Sequence, residues 1–350
     1  MRDSGSCRRS CRRSLLVVLL CTATVHAQSS DSLLPGAKPQ ETAASLKAWI
    51  GEYGPDGPTL STVAERDGAL ILFGEGLGNC TIEAGAGAEL KARCSLQDGV
   101  ALARDAKAVP SLRTRAGSFA RRDLGVDANQ VARIHPVRAV AELRAEALKA
   151  TPPEEKAAFR KPELVELAPL DASIHFDIRY ATNNDFLGTP VYTQARAFLQ
   201  RPAAEALVRA HRKLVQLGYG LLIHDAYRPW YVTKIFWDAT PPEGKIFVAD
   251  PSQGSRHNRG CAVDLSMYEL RSGKAVEMPG AYDEMSRRSY PNYAGGTSLQ
   301  RWHRELLRRA MESEGFSVYE FEWWHFDYKD WREYGIQNVA FENLGAAAAR

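Results

Sequence analysis

Two histidines and two acidic residues in the C-terminal half of the sequence are spaced so that they could act together. His257 is followed seven positions later by Asp264, and Glu322 lies three positions before His325. Two imidazoles and one carboxylate can bind a single metal ion, and three nitrogen or oxygen ligands with an open fourth position are how catalytic zinc is held. The remaining carboxylate, Glu322, could then serve as the base that a hydrolytic zinc site needs. Each residue alone is more simply an ordinary histidine or a surface acid.

The first two of these residues lie on a predicted turn and a predicted strand. Gly260 suits a tight turn shortly after His257, because glycine adopts backbone angles that other residues avoid. Residues 262–265 (Ala-Val-Asp-Leu) form an apolar run of the kind found in buried strands. The sequence therefore predicts that Asp264 projects from a buried strand that begins just after the turn.

The other two residues lie in an aromatic-rich segment, 319–328, which is typical of a strand. Positions three apart fall on opposite faces of a regular strand. Glu322 and His325 can therefore reach one site only if the strand bends at Trp323 and Trp324, or if both residues act from its end.

These patterns resemble those of a known enzyme family. Ser-Arg-His-x-x-Gly-x-Ala-x-Asp at 255–264, followed by Glu-x-Trp-His at 322–325, is similar to the zinc D-alanyl-D-alanine dipeptidases, the group that includes the vancomycin-resistance dipeptidase. The resemblance continues in Asp-Ile-Arg-Tyr-Ala-Thr-Asn-Asn-Asp-Phe at 177–186 and Asp-Ala-Tyr-Arg-Pro at 225–229, and it covers about half of the chain. Two substitutions, at Asn258 and Cys261, occupy variable positions of the family pattern, so we expect Cys261 to have a packing role.

The resemblance implies roles for the residues of the motifs. One zinc ion per chain would be held by His257, Asp264 and His325, with Glu322 as general base. Arg228, in the Asp-Ala-Tyr-Arg-Pro segment, would be the cation that stabilises the oxyanion of the tetrahedral intermediate. Without the resemblance, Arg228 would be interpreted as an arginine in a salt bridge at the end of a strand.

The resemblance also implies how a substrate would be recognised. Gly-Ala-Tyr-Asp at 280–283 is similar to the family segment whose aspartate meets the free amino group of the dipeptide. An acylated nitrogen would leave the Asp283 charge unpaired, which favours a free dipeptide. Asp283 could instead be a solvent-exposed loop acid, and Ser255 is a further candidate for a hydrogen bond to substrate. The alternatives are a D,D-carboxypeptidase acting on longer peptidoglycan peptides and a non-enzymatic, metal-stabilised wall-binding module.

The fold expected for residues 161–345 is a mixed α/β zinc-peptidase domain of the α+β class with an antiparallel central sheet. Alternation of apolar and polar residues predicts a half-buried strand over 171–180, and the apolar run 221–223 predicts a buried strand. Apolar positions at helical spacing predict helices over 202–218, with proline near the start and glycine after the end, and over 299–314.

The N-terminal half has a different pattern. Short apolar runs, such as 69–73, alternate with Gly, Asp and Pro turns, so residues 44–135 are predicted to form a small β-rich accessory domain. A helix and a linker are expected over 136–160. Cys80 and Cys94 could form a disulfide in an exported protein or remain two buried thiols, and the sequence leaves both possibilities open.

The first 27 residues have the pattern of a secretory signal peptide. A positive region formed by Arg8, Arg9, Arg12 and Arg13 precedes the short apolar run 15–21, and Val-His-Ala at 25–27 offers a cleavage site. A lipoprotein attached through Cys21 is disfavoured because Leu20 occupies the place of an expected small residue. Removal of this segment, with its five arginines and one aspartate, changes the net charge from +3 to −1. We therefore expect a periplasmic protein with a dipeptide substrate, no nucleic-acid partner and no stable membrane insertion.

Overall fold

The computed structural model describes residues 30–78, 80–84, 89–104, 109–126 and 131–344. The predicted signal peptide and the C-terminal tail from 345 lie outside these residues. Among the described residues, none of the helices has both the length and the apolar character needed to cross a bilayer.

The N-terminal part of the chain forms one eight-stranded antiparallel meander, in which each strand pairs with the next along the sequence. Tight turns between short apolar strands favour this order, because two-stranded hairpins close over few residues. The sheet also curls, so that Tyr53 of the first strand bridges Arg121 beyond the last. A short helix, α1, precedes it, and the bounds are α1 Ala44–Lys47, β1 Gly51–Tyr53, β2 Ser61–Arg66, β3 Ala69–Gly74, β4 Cys80–Ala84, β5 Glu89–Cys94, β6 Val100–Arg104, β7 Pro110–Thr114 and β8 Gly117–Ala120.

The meander encloses its own hydrophobic cluster, which includes the fully buried Tyr53, Val63 and Leu102. Cys80 and Cys94 face each other on β4 and β5 and are joined by a disulfide, the first of the two possibilities that the sequence left open. The β-rich character expected for this region agrees with the eight strands, whereas its status as a separate domain remains a prediction.

The C-terminal part is built around a five-stranded sheet in the order β10-β12-β13-β15-β14. All neighbours in this sheet are antiparallel except the edge pair β10 and β12, which is parallel. Two further strands, β9 and β11, form a separate antiparallel pair. The bounds of the helices and strands are α2 Val140–Ala147, β9 Leu164–Glu166, β10 His175–Phe176, β11 Phe198–Gln200, α3 Arg201–Gln216, β12 Tyr219–Asp225, α4 Trp230–Ala239, β13 Ala262–Glu269, α5 Ser298–Glu312, β14 Phe316–Tyr319 and β15 Glu322–Tyr328.

Helices α3 and α5 confirm the two helices predicted from spacing. Proline in the first turn of α3 is tolerated because the first N–H groups of a helix have no partner inside it. Helix α5 begins with a capping box, in which Thr297 and Gln300 bond each other's backbone N–H groups. Helix α3 packs on β12, α5 packs on β14, and the two helices contact each other. The apolar stripes of both helices thus cover the central sheet.

The strand predicted over 171–180 was too long. Only His175–Phe176 pairs with β12, and Arg179–Ala181 turns into a short 3-10 helix. Alternation of apolar and polar residues indicates which side of a segment is buried. A segment can alternate in this way without pairing with another strand along its whole length. The other 3-10 helices are Ser30–Leu33, Pro242–Phe247, His257–Arg259, Arg287–Ser289, Trp331–Glu333 and Phe341–Asn343.

Candidate active site

The central sheet brings three acidic or imidazole side chains into one row across neighbouring strands. Asp225 at the end of β12 is paired with Asp264 of β13, and Asp264 is paired with His325 of β15. His257 reaches the same place from the short helix before β13, where Gly260 has a φ of 69° that allows the expected tight turn. The buried strand predicted around Asp264 is confirmed, because every residue of β13 except the last is buried.

The seven residues singled out from the sequence line a single cavity of about 440 Å³. This cavity lies beside the row of paired residues, since Asp264 and His325 of that row line it. The seven residues are Arg228, Ser255, His257, Asp264, Asp283, Glu322 and His325.

The three predicted metal ligands have atoms within contact distance of one another. His257 Nε2 lies 3.0 Å from His325 Nδ1 and 3.3 Å from Oδ1 of Asp264. His325 Nδ1 lies 3.1 Å from the same Asp264 oxygen. A tetrahedral zinc ion with bonds of about 2.0–2.1 Å separates its ligand atoms by about 3.3 Å, so this spacing is compatible with one shared ion.

The outward nitrogen of each imidazole is bonded to an acceptor. His257 Nδ1 lies 2.6 Å from the carbonyl oxygen of Ala226, and His325 Nε2 lies 2.9 Å from Oδ1 of Asp327. Both acceptors require an N–H on the nitrogen that faces them. In the neutral imidazoles, His257 Nε2 and His325 Nδ1 therefore present lone pairs toward each other.

The convergence of these lone pairs on a carboxylate calls for a cation. Oδ1 of Asp264 is buried and, within the described part of the chain, accepts no hydrogen bond. Buried acceptors without partners are costly, and a shared cation would satisfy all three ligand atoms at once. Although burial acts in the opposite direction, contacts to His257 and His325 lower the pKa of Asp264 well below its usual range, which keeps it a carboxylate. The residues present thus fit a metal ion.

Glu322 reaches the site because β15 bends at Trp323 and Trp324, which is one of the two arrangements expected from the sequence. Val318 of β14 pairs with Phe326, and the next residue, Tyr319, pairs with Glu322, so residues 323–325 form a bulge. Oε2 of Glu322 then lies 3.7 Å from Nδ1 of His325. Burial raises the pKa of Glu322 to about 7, with His325 opposing this rise and Asp264 adding to it.

Arg228 is buried at the site and held by a carboxylate that the sequence analysis did not single out. Its Nε and Nη2 atoms lie 3.0 Å and 2.8 Å from Oδ2 of Asp225, and Tyr192 donates its hydroxyl to Oδ1 of the same carboxylate at 2.7 Å. Nη2 also lies 3.7 Å from Oδ2 of Asp264. The structure therefore contains the salt bridge expected from the simpler interpretation and also places the guanidinium in the cavity.

Asp283 lies at the cavity and belongs to a network of phenols. Tyr180 donates its hydroxyl to the Asp283 carboxylate at 2.9 Å, and Tyr282 donates its hydroxyl to Oδ2 of Asp264 at 3.1 Å, with the two phenol oxygens 3.0 Å apart. Burial and the nearby Asp264 carboxylate raise the pKa of Asp283 well above its usual range. Burial thus favours the protonated form of Asp283, and a cation in the cavity would favour its carboxylate form by pairing with the charge.

Ser255 occupies a more structural position in the cavity wall. Its Oγ accepts a hydrogen bond from the backbone N–H of His257 at 3.2 Å, and its own N–H donates to the side chain of Asn258 at 2.7 Å. These bonds fix the turn that carries His257.

Asp225 and the pair Asp327 and Arg256 also hold the site, although sequence patterns did not single them out. Arg256 Nη1 lies 2.8 Å from Oδ2 of Asp327, which orients that carboxylate toward His325. A signal was present, because residues two apart on a strand share a face and Asp327 follows His325 by two. Asp225 could have been found as the acid three positions before Arg228.

Comparisons with known proteins place the same segment in one family. A family profile described as D-ala-D-ala dipeptidase matches residues 160–342. The D-alanyl-D-alanine dipeptidase of Escherichia coli (strain K12) is 33% identical over 165 residues, covering 47% of this chain and 84% of that protein. Those of Enterococcus faecalis (strain ATCC 700802 / V583) and Enterococcus faecium are 35% and 34% identical, covering 45% and 46% of this chain and 88% and 90% of theirs.

Proposed function

This chain belongs to the D-Ala-D-Ala dipeptidase family of metallopeptidases, and we therefore propose that it hydrolyses free D-alanyl-D-alanine to D-alanine with one zinc ion per chain. The observation that carries the proposal is the convergence of His257, Asp264 and His325 beside Glu322 in one cavity. Membership of this family agrees with the enzyme class expected from the sequence.

His257, Asp264 and His325 would hold the zinc ion, and their two nitrogens and one oxygen are ligands that zinc accepts. When bound, zinc supplies a Lewis acid and lowers the pKa of a bound water to about 7. Three protein ligands leave the fourth position open, in contrast to structural zinc sites, which are closed by four.

Glu322 is the proposed proton carrier. Its carboxylate lies beside His325 and would take a proton from the attacking water and deliver it to the leaving amine. A general base acts best when its pKa is near the working pH, and the burial that raises the pKa of Glu322 to about 7 favours this role.

Arg228 is proposed to stabilise the negative charge that develops on the scissile carbonyl oxygen. Asp225 fixes the guanidinium from behind through two contacts to one oxygen. A cation that is already positioned does not have to reorganise as charge develops, which is the main source of this kind of stabilisation.

Asp283 is proposed to bind the free ammonium group of the dipeptide, and Ser255 to give a weaker polar contact. Purified zinc-loaded protein is therefore expected to release D-alanine from D-Ala-D-Ala and not from the N-acetylated dipeptide. Cleavage of both would indicate a D,D-carboxypeptidase that accepts acylated amines. Cleavage of neither would contradict the proposed substrate.

We further propose that the protein is exported and acts on dipeptide derived from the cell wall. The arginine-rich start, the apolar run 15–21 and the Val-His-Ala segment at 25–27 support this location. Fractionation of cells that produce the full chain, with N-terminal sequencing of the product, tests it. A protein that is recovered uncleaved from the cytoplasm would contradict the proposal.

A further inference from the structure

The N-terminal meander contacts the C-terminal part at the segment that carries Asp283. We call residues 279–297, which lead into α5, the Asp283 loop. Along β2, the pairing with β1 covers residues 61–63, and Gly296 of the loop takes the next place on that edge by bridging Ala64. The N–H of Glu65 donates to the carbonyl oxygen of Gly296 at 3.0 Å. The end of the loop is thus bonded to a strand of the meander.

The side chain of Glu65 adds a second connection between the two parts. Glu65 is 2% exposed, and its carboxylate accepts the N–H of Ser298, the first residue of α5, at 2.8 Å. Thr42 and Gly68 donate to the same carboxylate at 2.9 Å and 2.6 Å. A buried carboxylate with donors from three segments is a rigid junction, because losing one donor leaves a desolvated charge short of a partner.

Arg301 of α5 makes the third connection. Its Nη1 donates to the carbonyl oxygens of Gly295 and Gly296 at 3.1 Å and 3.0 Å, and its Nη2 donates to the carbonyl oxygen of Glu65 at 2.7 Å. One guanidinium therefore ties the helix, the loop and the meander together.

Contacts within the Asp283 loop connect its anchored end to the part that carries Asp283. The buried Glu284 accepts the N–H of Ala281 at 2.9 Å, and Arg288 reaches both Glu284 at 3.3 Å and the carbonyl oxygen of Pro279 at 3.1 Å. Asp283 has a φ of 58°, in the left-handed region that residues other than glycine seldom adopt. Such a conformation persists only where the surrounding structure holds it.

A second contact from the meander reaches the loop at Tyr293, three positions before Gly296. The phenol of Tyr293 lies beside the buried carboxylate of Glu52 on β1, and burial together with this carboxylate raises the pKa of Tyr293 above its usual value. Nη1 of Arg122 lies 3.3 Å from Oε2 of Glu52. Groups of the meander therefore contact the last part of the loop at Tyr293 as well as at Gly296.

From these contacts we propose that the meander positions the Asp283 loop, and that Glu65 and Arg301 are positioning residues for recognition of the dipeptide ammonium. The proposal rests on the role of Asp283 in the proposed function. It assigns the N-terminal half of the chain a part in substrate affinity, although none of the described residues of the meander lines the cavity.

Arg301→Met tests the proposal in the full-length, zinc-loaded protein. Its matched control is Arg308→Met, since Arg308 lies on the same helix and contacts only Glu312 among the hydrogen-bonded and ion-paired groups described. Arg301→Met should raise KM for free D-Ala-D-Ala about tenfold and change kcat less than about threefold, because Asp283 acts in substrate binding. Amide hydrogen exchange in residues 280–297 should also become faster. The control should change neither quantity.

An unchanged KM and unchanged loop exchange in folded Arg301→Met would overturn the proposal. If that variant does not fold, Glu65→Gln replaces it in the test. This substitution keeps the side-chain volume and turns one acceptor oxygen into a donor that faces an N–H group. It must then raise KM and accelerate hydrogen exchange in the loop as expected for Arg301→Met. If the unaltered protein does not cleave D-Ala-D-Ala, the proposed function fails, and the exchange measurement still decides whether the meander holds the loop.

Discussion

Nε2 of His325 lies 2.9 Å from Oδ1 of Asp327, two positions further along the same strand. Asp327 is paired on its other oxygen with Arg256 at 2.8 Å. The imidazole is therefore held with its N–H directed outward and with Nδ1 directed toward His257 and Asp264. Carboxylates in this position orient a metal-binding histidine and increase its basicity.

Asp327→Asn should weaken zinc binding by about 10- to 100-fold without unfolding the protein, because the orientation and basicity of His325 would be lost. Competition with a chromogenic chelator measures the affinity. Glu320→Gln, at an exposed acid on the preceding turn, is the matched control and should leave the affinity unchanged. An Asp327→Asn protein that binds zinc as tightly as the control would argue against the role of this contact.

Zinc binding should release a proton near neutral pH. Although burial acts against it, Asp327 and Asp264 raise the pKa of His325 to about 10, so the metal-free imidazole is protonated below that pH. The metal needs Nδ1 without a proton. Zinc affinity should therefore increase about tenfold per pH unit between about pH 6 and 8 for one released proton. Titration calorimetry in two buffers counts the proton, and an affinity independent of pH would contradict this account.

Arg228→Met should lower kcat for D-Ala-D-Ala by about 100- to 1,000-fold, the usual cost of removing one group that stabilises an oxyanion. Zinc content should stay the same, because Arg228 is not among the three proposed ligands. Arg212→Met, at an exposed arginine of α3, is the control for a lost surface charge. A kcat close to that of the control would remove Arg228 from the reaction.

Asp283→Asn should raise KM for the free dipeptide by about 10- to 100-fold, since a buried carboxylate would no longer pair with the ammonium group. The amide can still accept the Tyr180 hydroxyl, so the loop should keep its conformation. N-acetyl-D-Ala-D-Ala carries no ammonium group, so the substitution should leave its inhibition constant unchanged. Equal losses for both compounds would indicate a structural role for Asp283.

Local patterns predicted the elements that carry the site. Helix α5 was expected over 299–314 and spans Ser298–Glu312, because its apolar spacing and its terminal glycine are properties of the segment itself. The bend in β15 was one of two possibilities derived from the spacing of Glu322 and His325. The cross-strand row of Asp225, Asp264 and His325 was not predicted, because strand register depends on distant partners.

The connection between the meander and the Asp283 loop also could not be predicted from the sequence. Glu65 and Arg301 are more than 200 positions apart, and each alone is an ordinary charged residue. Their meeting depends on Gly296 filling a vacant strand edge. The residue types of the site could be identified locally, whereas the residues that hold them in place are determined by tertiary packing.

The most direct test of the central claim is a joint measurement of zinc content and hydrolysis of D-Ala-D-Ala in Glu322→Gln, with His325→Ala beside it. The account predicts one zinc ion per chain in Glu322→Gln together with a loss of kcat of at least about 100-fold, because the proton carrier is missing while the ligands remain. His325→Ala should lose both zinc and activity. Turnover retained in zinc-loaded Glu322→Gln would contradict the account.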